Sequence, residues 1–392
     1  HVTGVQTCAL PISLTGVKKL RGMTWEHPRG LDCLVNSDNL LKEQLGVSVE
    51  WSARSLLAFG DQHISEFYAD HDLMVIDHPH VPDAVHANAV VALEDVASDA
   101  DLELLAKTSV GASHDSYIYR GKHWALAIDT AAQVSAYRPD KTNKGLVFWY
   151  EVLAAGREGL VLWPHKPVDA FSTFATLMAQ KGFALCSTDE YITKAVAAEV
   201  LTFMIDLAKA VPAQCLTMNP IEAAEHLVTT DREHYSICMY GYTNYSRDGF
   251  RTRPIVYDDV PSFDGRASGS QLGGAGIAIS SASKNVELAA KVAVLLSLPE
   301  IQSTTYVQAG GQPGNLAAWK APQANLITRN FFNNTLRTLE RAWVRPRFLG
   351  WPDVQYQSSL IIHKILGEKN FSSTDIENIA GTYKQYNQEF GR

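Results

Sequence analysis

Between residues 271 and 302 the spacing of apolar positions changes once. Glycines and apolar residues fill 272–279 without a charge, the composition of a buried strand. Val286, Ala289, Ala290, Ala293, Leu296 and Leu298 then recur at helical spacing. The pattern predicts a helix running to about Leu298, N-capped from the serines of 280–283, with Glu287 in the first turn where the helix dipole favours an anion. Pro299 closes it and opens the next, because the first helical N–H is unpaired in any case.

The same reading from the N-terminus finds strands at 20–25, 47–51 and 72–77, separated by a short helix at 37–46 and partly helical chain over 52–70. Alternating strands and helices predict a mainly parallel sheet covered on both faces. A strand at 124–128 runs into Asp129 and a second apolar stretch ending at Tyr137. Further on, 187–211 is predicted helical from a Ser187–Glu190 capping box, and a second box, Asn219 to Glu222, opens another helix. Residues 235–246 read as a strand feeding an aromatic loop, and 258–269 as turn. Three more helices are predicted at 330–343, 353–366 and 374–390.

Composition narrows the function classes. With 392 residues, 46% hydrophobic and 19% charged, the chain is an ordinary globular protein of two lobes or domains. A net charge of −8 supplies no basic footprint for nucleic acid, and no apolar run reaches the length of a membrane span. Residues 1–13 lack the basic start and apolar core of a secretory signal. Val2 to Ile12 match a translated sequencing-adapter sequence, so this stretch is expected to be a library scar, with the native start and any signal lost. Cys33, Cys186, Cys215 and Cys238 show no CxxC spacing, which suggests neither zinc nor a redox pair.

Candidate chemistry gathers at the strand ends, where ligands collect in doubly wound sheets. Trp25, His27 and Arg29 follow the first strand, and Asp77, His78 and His80 the third. His78 and His80 flank one residue, as metal ligands of some barrel hydrolases do, which keeps a metal-dependent hydrolase as the alternative function. Other histidines, among them His114, His123 and His165, have no matching strand-end context. The glycines of 273–278 lack the third glycine and distant acid of a dinucleotide loop. No GxSxG, P-loop or HExxH motif occurs, so no catalytic residue and no cofactor is assigned. Trp25, Trp163, Tyr240, Tyr242, Tyr245, Trp343 and Trp351 lie near strand ends or turns, interleaved with polar groups. Flat rings cover the C–H face of a sugar while polar neighbours bond its hydroxyls, so this supply suits a sugar or polyol. Arg29 and Arg54 leave a carboxylate-bearing ligand open.

Gly-Gly-Gln-Pro-Gly at 310–314, followed by Ala-Ala-Trp at 317–319, resembles a recurring motif of the extracellular solute-binding proteins of family 1, the carbohydrate-type components of ABC importers. The strand and helices of 271–302, a Gly-Tyr-Thr-Asn-Tyr-Ser run at 241–246, and Trp149 with Glu151 resemble the same family. The proline and threonine that the family places before that Trp and Glu are missing here. The resemblance covers about 20–366. It implies a two-lobed α/β fold of the periplasmic-binding-protein type II class, with three crossovers near Asp129, Gly269 and Gly310. It divides the chain into 17–128 with 271–309 for one lobe and 129–270 with 310–392 for the other. It further implies a monomer, periplasmic or extracellular, that binds a small solute by hinge closure and hands it to an importer permease. The expected ligand-binding residues are Trp25, His27, Arg29, His78, Asp129, Tyr242, Asn244, Tyr245, Gly274, Gly311, Gln312 and Trp343. If residues 1–13 are a scar, deleting them leaves the melting temperature unchanged; a fall of several degrees would show that they pack.

Overall fold

The computed structural model describes residues 16–390, with side chains through 384, so the expected scar at 1–13 lies outside the described residues. Strands β1 (Lys18–Trp25), β2 (Val47–Arg54) and β3 (Leu73–Ile76) are parallel, with β1 in the middle. A small hairpin, β4 (Ile118–Tyr119) and β5 (Lys122–His123), stands apart from the main sheet. The long β6 (Leu126–Tyr137) is one continuous strand where the sequence suggested two stretches. Beyond it lie β7 (Val161–Leu162), β8 (Tyr235–Tyr240), β9 (Val256–Asp258) and β10 (Leu272–Ile279).

Pairing gives the order β2-β1-β3-β10-β6-β8-β7, with β9 added against β6. The two flanks are parallel, as expected, but the centre is not: β10 runs antiparallel to β3 and β6, and β6 antiparallel to β8 and β9. The chain passes out along one central strand and back along the other, which makes them antiparallel. The first half of β6 pairs with β10 and the second half with β8 and β9, so this one strand belongs to both halves of the sheet.

Helix boundaries follow capping chemistry in most places. Ser37 and Gly46 flank the helix Asp38–Leu45, with Gly46 left-handed at φ 64°. Asn219 accepts from Glu222 N while the Glu222 carboxylate accepts from Asn219 N, closing the expected box. Glu151 does the same service alone, accepting from the backbone N–H groups of Val147 and Phe148. The Ser187 box does not form, and the helix begins at Lys194 and runs to Ala210. Cys186 N donates instead to Tyr191 O, closing a loop that pins Tyr191 and Ile192 into the core. The helix after β10 likewise starts late, at Val286, and the serines before it tie turns to Asp72 and Asn88 instead. Among the helices that went unforeseen are Pro28–Val35 and Pro167–Gln180. The second is buried almost all round from Asp169 to Met178, so it has no polar face to mark its period.

Three segments cross between the halves of the sheet, in β6, at the start of β10, and at 310–314. Gln312, fully buried, fastens them together. Its Nε2 donates to Thr130 O and Gly241 O, both at 3.0 Å, and its Oε1 accepts from Thr243 N at 3.2 Å. The glycines beside it are forced by contact: a Cβ on Gly314 would stand 2.6 Å from Ala127 O, and one on Gly311 would stand 2.4 Å from the Tyr306 ring. Replacing Gln312 by Ala removes the side-chain donor to Thr130 O, one of the two donors to Gly241 O and the acceptor of Thr243 N, so denaturant unfolding should show a loss of roughly 2–4 kcal/mol, while exposed Tyr150→Ala should stay within about 0.5 kcal/mol. Equal stability of the two variants would remove Gln312 as the fastening.

Candidate ligand-binding site

A cavity of about 470 Å³ opens where β1, β3, β6, β8 and β10 meet the helices Pro167–Gln180 and Trp351–Glu368. Trp25, Arg29, Asp129, Tyr242 and Gly274, all expected from sequence, line it. Gly274 sits at φ +117° beside the β10 irregularity, and a Cβ there would meet Asp129 O at 2.5 Å. The chain can therefore bring β10 against β6 at this point only as glycine.

Arg29 is the centre of the inner wall. Its Nε and Nη2 donate to the two oxygens of Asp129 at 2.8 and 2.5 Å, and its Nη1 donates to Gly241 O at 3.0 Å. Its guanidinium lies 5.4 Å from the Trp25 ring centre and 4.7 Å from that of Tyr242. Burial opposes the charge, but Asp129 outweighs it and holds the guanidinium above its ordinary pKa. His27 stacks on Trp25 at 5.7 Å, meets Tyr242 edge-on at 4.6 Å, and accepts from Arg29 N through Nδ1. Burial and then the Arg29 charge lower its pKa to about 3, so it is neutral at pH 7.

A second ion pair, absent from the expectations, completes the wall. Arg345 Nη2 donates to both Asp77 oxygens at 2.8 and 2.7 Å. Burial works against ionisation of Asp77, yet Arg345 and the neighbouring histidines hold its carboxyl well below the usual range. Gln271, Tyr240, Ser172 and Asp169 add polar groups, and Leu57, Val168, Tyr356 and Leu360 form an exposed apolar rim. Only the "strand-end" rule pointed towards Asp77. Arg345 stands in a loop 268 residues away in sequence, and no local pattern joins the two.

Seven expected residues do not line the cavity. His27 supports the wall from behind Trp25 and Tyr242. His78 is buried against Tyr117, and Asn244 is buried. Tyr245 is buried with its hydroxyl donating to Glu225 at 2.8 Å. Gly311 and Gln312 sit in the crossover, where Gly311 N donates to Tyr306 O and the Gln312 side chain bonds backbone groups of the protein. Trp343 contributes through its backbone, whose N donates to Ser270 O. Trp163 and Trp351 are core. Trp25 is itself only 3% exposed, so it is a packed wall and not an open stacking platform, and replacing it would cost stability as well as contact. Arg54 does not line the cavity; its guanidinium covers the Phe67 ring at 4.3 Å.

The hydrolase alternative finds no support. His78 has Asp77 for a neighbour, and the His80 Nε2 is bound to Gly60 O at 2.8 Å. Among the described residues no group of three possible metal ligands converges.

Known proteins of similar shape are many, although no protein-family model and no curated protein matches the sequence. Maltose-bound MalE3 of Thermotoga maritima is 18% identical with a TM-score of 0.78, over 94% of this chain and 99% of that one. A solute-binding protein of Agrobacterium radiobacter in complex with ribitol is 15% identical with a TM-score of 0.77, over 95% and 99%. One from Thermotoga lettingae bound with α-D-tagatose is 18% identical with a TM-score of 0.77, over 95% and 100%. The chain therefore has the two-lobed α/β fold of periplasmic binding proteins of the MalE type.

Asp169 is 4% exposed, and burial raises its carboxyl pKa to about 8, with Lys166 pulling against that and Glu222 adding to it. A carboxyl that holds its proton when folded and loses it near pH 4 when unfolded costs stability as pH rises between those values. Asp169→Asn removes that slope, so it should melt like the parent at pH 4 and several degrees higher at pH 8. Parallel melting curves from pH 4 to 8 would show that Asp169 does not carry the strain.

Proposed function

We propose that the chain is the solute-binding component of an ABC importer, working outside the cytoplasm as a monomer and closing its two lobes over a sugar or polyol. It follows that the chain is a carrier and not a catalyst. The observation that carries this reading is the cavity itself, set at the crossovers and walled by Trp25 and Tyr242 beside charges already paired within the protein. Apolar ring surface next to hydrogen-bonding groups suits a ligand with C–H faces and hydroxyls. Ligands named in the similar structures, maltose, ribitol and tagatose, are of that chemistry.

Division of the lobes at 17–128 with 271–309, and 129–270 with 310–392, is supported by the change of strand partners midway along β6. Helix Trp351–Glu368 adds support by packing on helix Pro167–Gln180. No helix among the described residues is long and apolar enough to cross a membrane, so a separate permease would carry the solute inward. Three narrow crossovers leave the lobes free to rotate about them.

Maltose, ribitol and tagatose, each in millimolar excess, form the first test. A true ligand should raise the melting temperature through its preference for the folded state and should lower the radius of gyration in solution scattering. Stabilisation without compaction would remove hinge closure, and no response to any sugar or polyol would remove the function.

A further inference from the structure

Ionisable groups lining the cavity are matched, with one buried exception. Arg29 is taken by Asp129 and Arg345 by Asp77. Lys166, at the mouth, is held by Glu222 at 2.7 Å. Asp61 stands at the water-exposed edge. Asp169 alone is both buried and unmatched: its Oδ2 finds no hydrogen-bond partner among the described residues. The groups that face it through charge are Lys166, already shared with Glu222, Glu222 itself, and the Tyr242 phenol.

A second free acceptor lies in the same corner. Gln271 is 1% exposed, and its Nε2 donates to Ser172 Oγ and to the Tyr240 hydroxyl, both at 2.8 Å. Those bonds fix the amide, and its Oε1 is left without a partner among the described residues. Ser172 follows Asp169 by three positions on one helix, so the two residues share a face and bring Gln271 to the side of Asp169. Unfilled acceptors in a buried wall are costly, and the group that answers both is a donor with positive charge.

We propose that Asp169 and Gln271 form an ammonium subsite, so that the cleft selects an aminated sugar or polyol over its neutral and acidic counterparts. The proposal rests on the sugar- or polyol-binding reading above. An ammonium offers three donors and the countercharge that Asp169 lacks. Acidic ligands gain little here, because both guanidiniums of the wall are already neutralised by aspartates. Burial keeps the free Asp169 carboxyl protonated near neutral pH, and the arriving ammonium would expel that proton to the buffer. A neutral hydroxyl ligand brings no charge and expels none.

Two matched series test it on the full chain by calorimetry at pH 7: sorbitol, 1-amino-1-deoxysorbitol and gluconate; and glucose, glucosamine and glucuronate. In at least one series the amine should bind roughly tenfold or more tighter than the neutral member, with the acid weakest, as expected for one charge-assisted contact. For 1-amino-1-deoxysorbitol, whose alkylamine stays protonated at this pH, the enthalpy should differ between Tris and phosphate buffers by the released proton. Asp169→Asn keeps the side-chain shape and should erase both the amine preference and the buffer dependence. An amine that binds no better than its neutral partner in both series, or a preference that survives Asp169→Asn, overturns the proposal and leaves the polyol reading intact. If no member of either series binds while maltose, ribitol or tagatose does, the ammonium subsite falls alone. If none of these compounds binds, the polyol reading falls with it.

Discussion

One backbone carbonyl, that of Gly241, holds the two halves of the molecule in register. It accepts from Arg29 of the first half and from Gln312 of the last crossover, each at 3.0 Å. Arg29 is at the same time bound to Asp129 of β6, and Gln312 to the carbonyl of Thr130 next to it. Four segments far apart in sequence therefore meet in one buried hydrogen-bonded knot. A buried charge or amide is tolerated only when its donors and acceptors are filled, so displacing any of these segments would leave the others unsatisfied. The crossovers have a defined position for that reason. Glycines at 274, 311 and 314 allow the close approach that the knot requires.

The knot also sets the chemistry of the cavity. Its inner wall is built from the same residues that join the halves, with Arg29 between the rings of Trp25 and Tyr242. Arg345 and Asp77 repeat the arrangement a short way along, again joining residues far apart in sequence. Aspartates thus pair both guanidiniums, and the rest of the wall is ring surface, hydroxyls, an amide, the unpartnered Arg345 Nε–H and one buried carboxyl. An arginine in a cleft is usually read as an anion hook, and here each guanidinium already has an aspartate as partner. Leu57, Val168, Tyr356 and Leu360 stand exposed at the mouth, on elements contributed by both sides.

The sequence by itself determined the parts whose causes are local. Strands β1, β2, β3, β8 and β10 were legible because their apolar runs are short and bounded by turns, and the Asn219 box because capping needs only four consecutive residues. Trp25, Arg29, Asp129, Tyr242 and Gly274, which line the cavity, were legible as strand-end and glycine positions because such positions leave marks in the chain. Tertiary structure decided the rest. It buried Tyr245, Asn244 and Gln312 instead of presenting them, since a polar residue beside a crossover serves the crossover first. It buried the helix Pro167–Gln180 almost all round from Asp169 to Met178, so no periodic signal announced it. It paired Asp77 with Arg345 and placed Gln271 beside Ser172 across 99 residues of chain. Such contacts come from how layers stack and where the halves of a sheet meet, and periodicity along the chain reports which face of an element is buried but not what it is buried against.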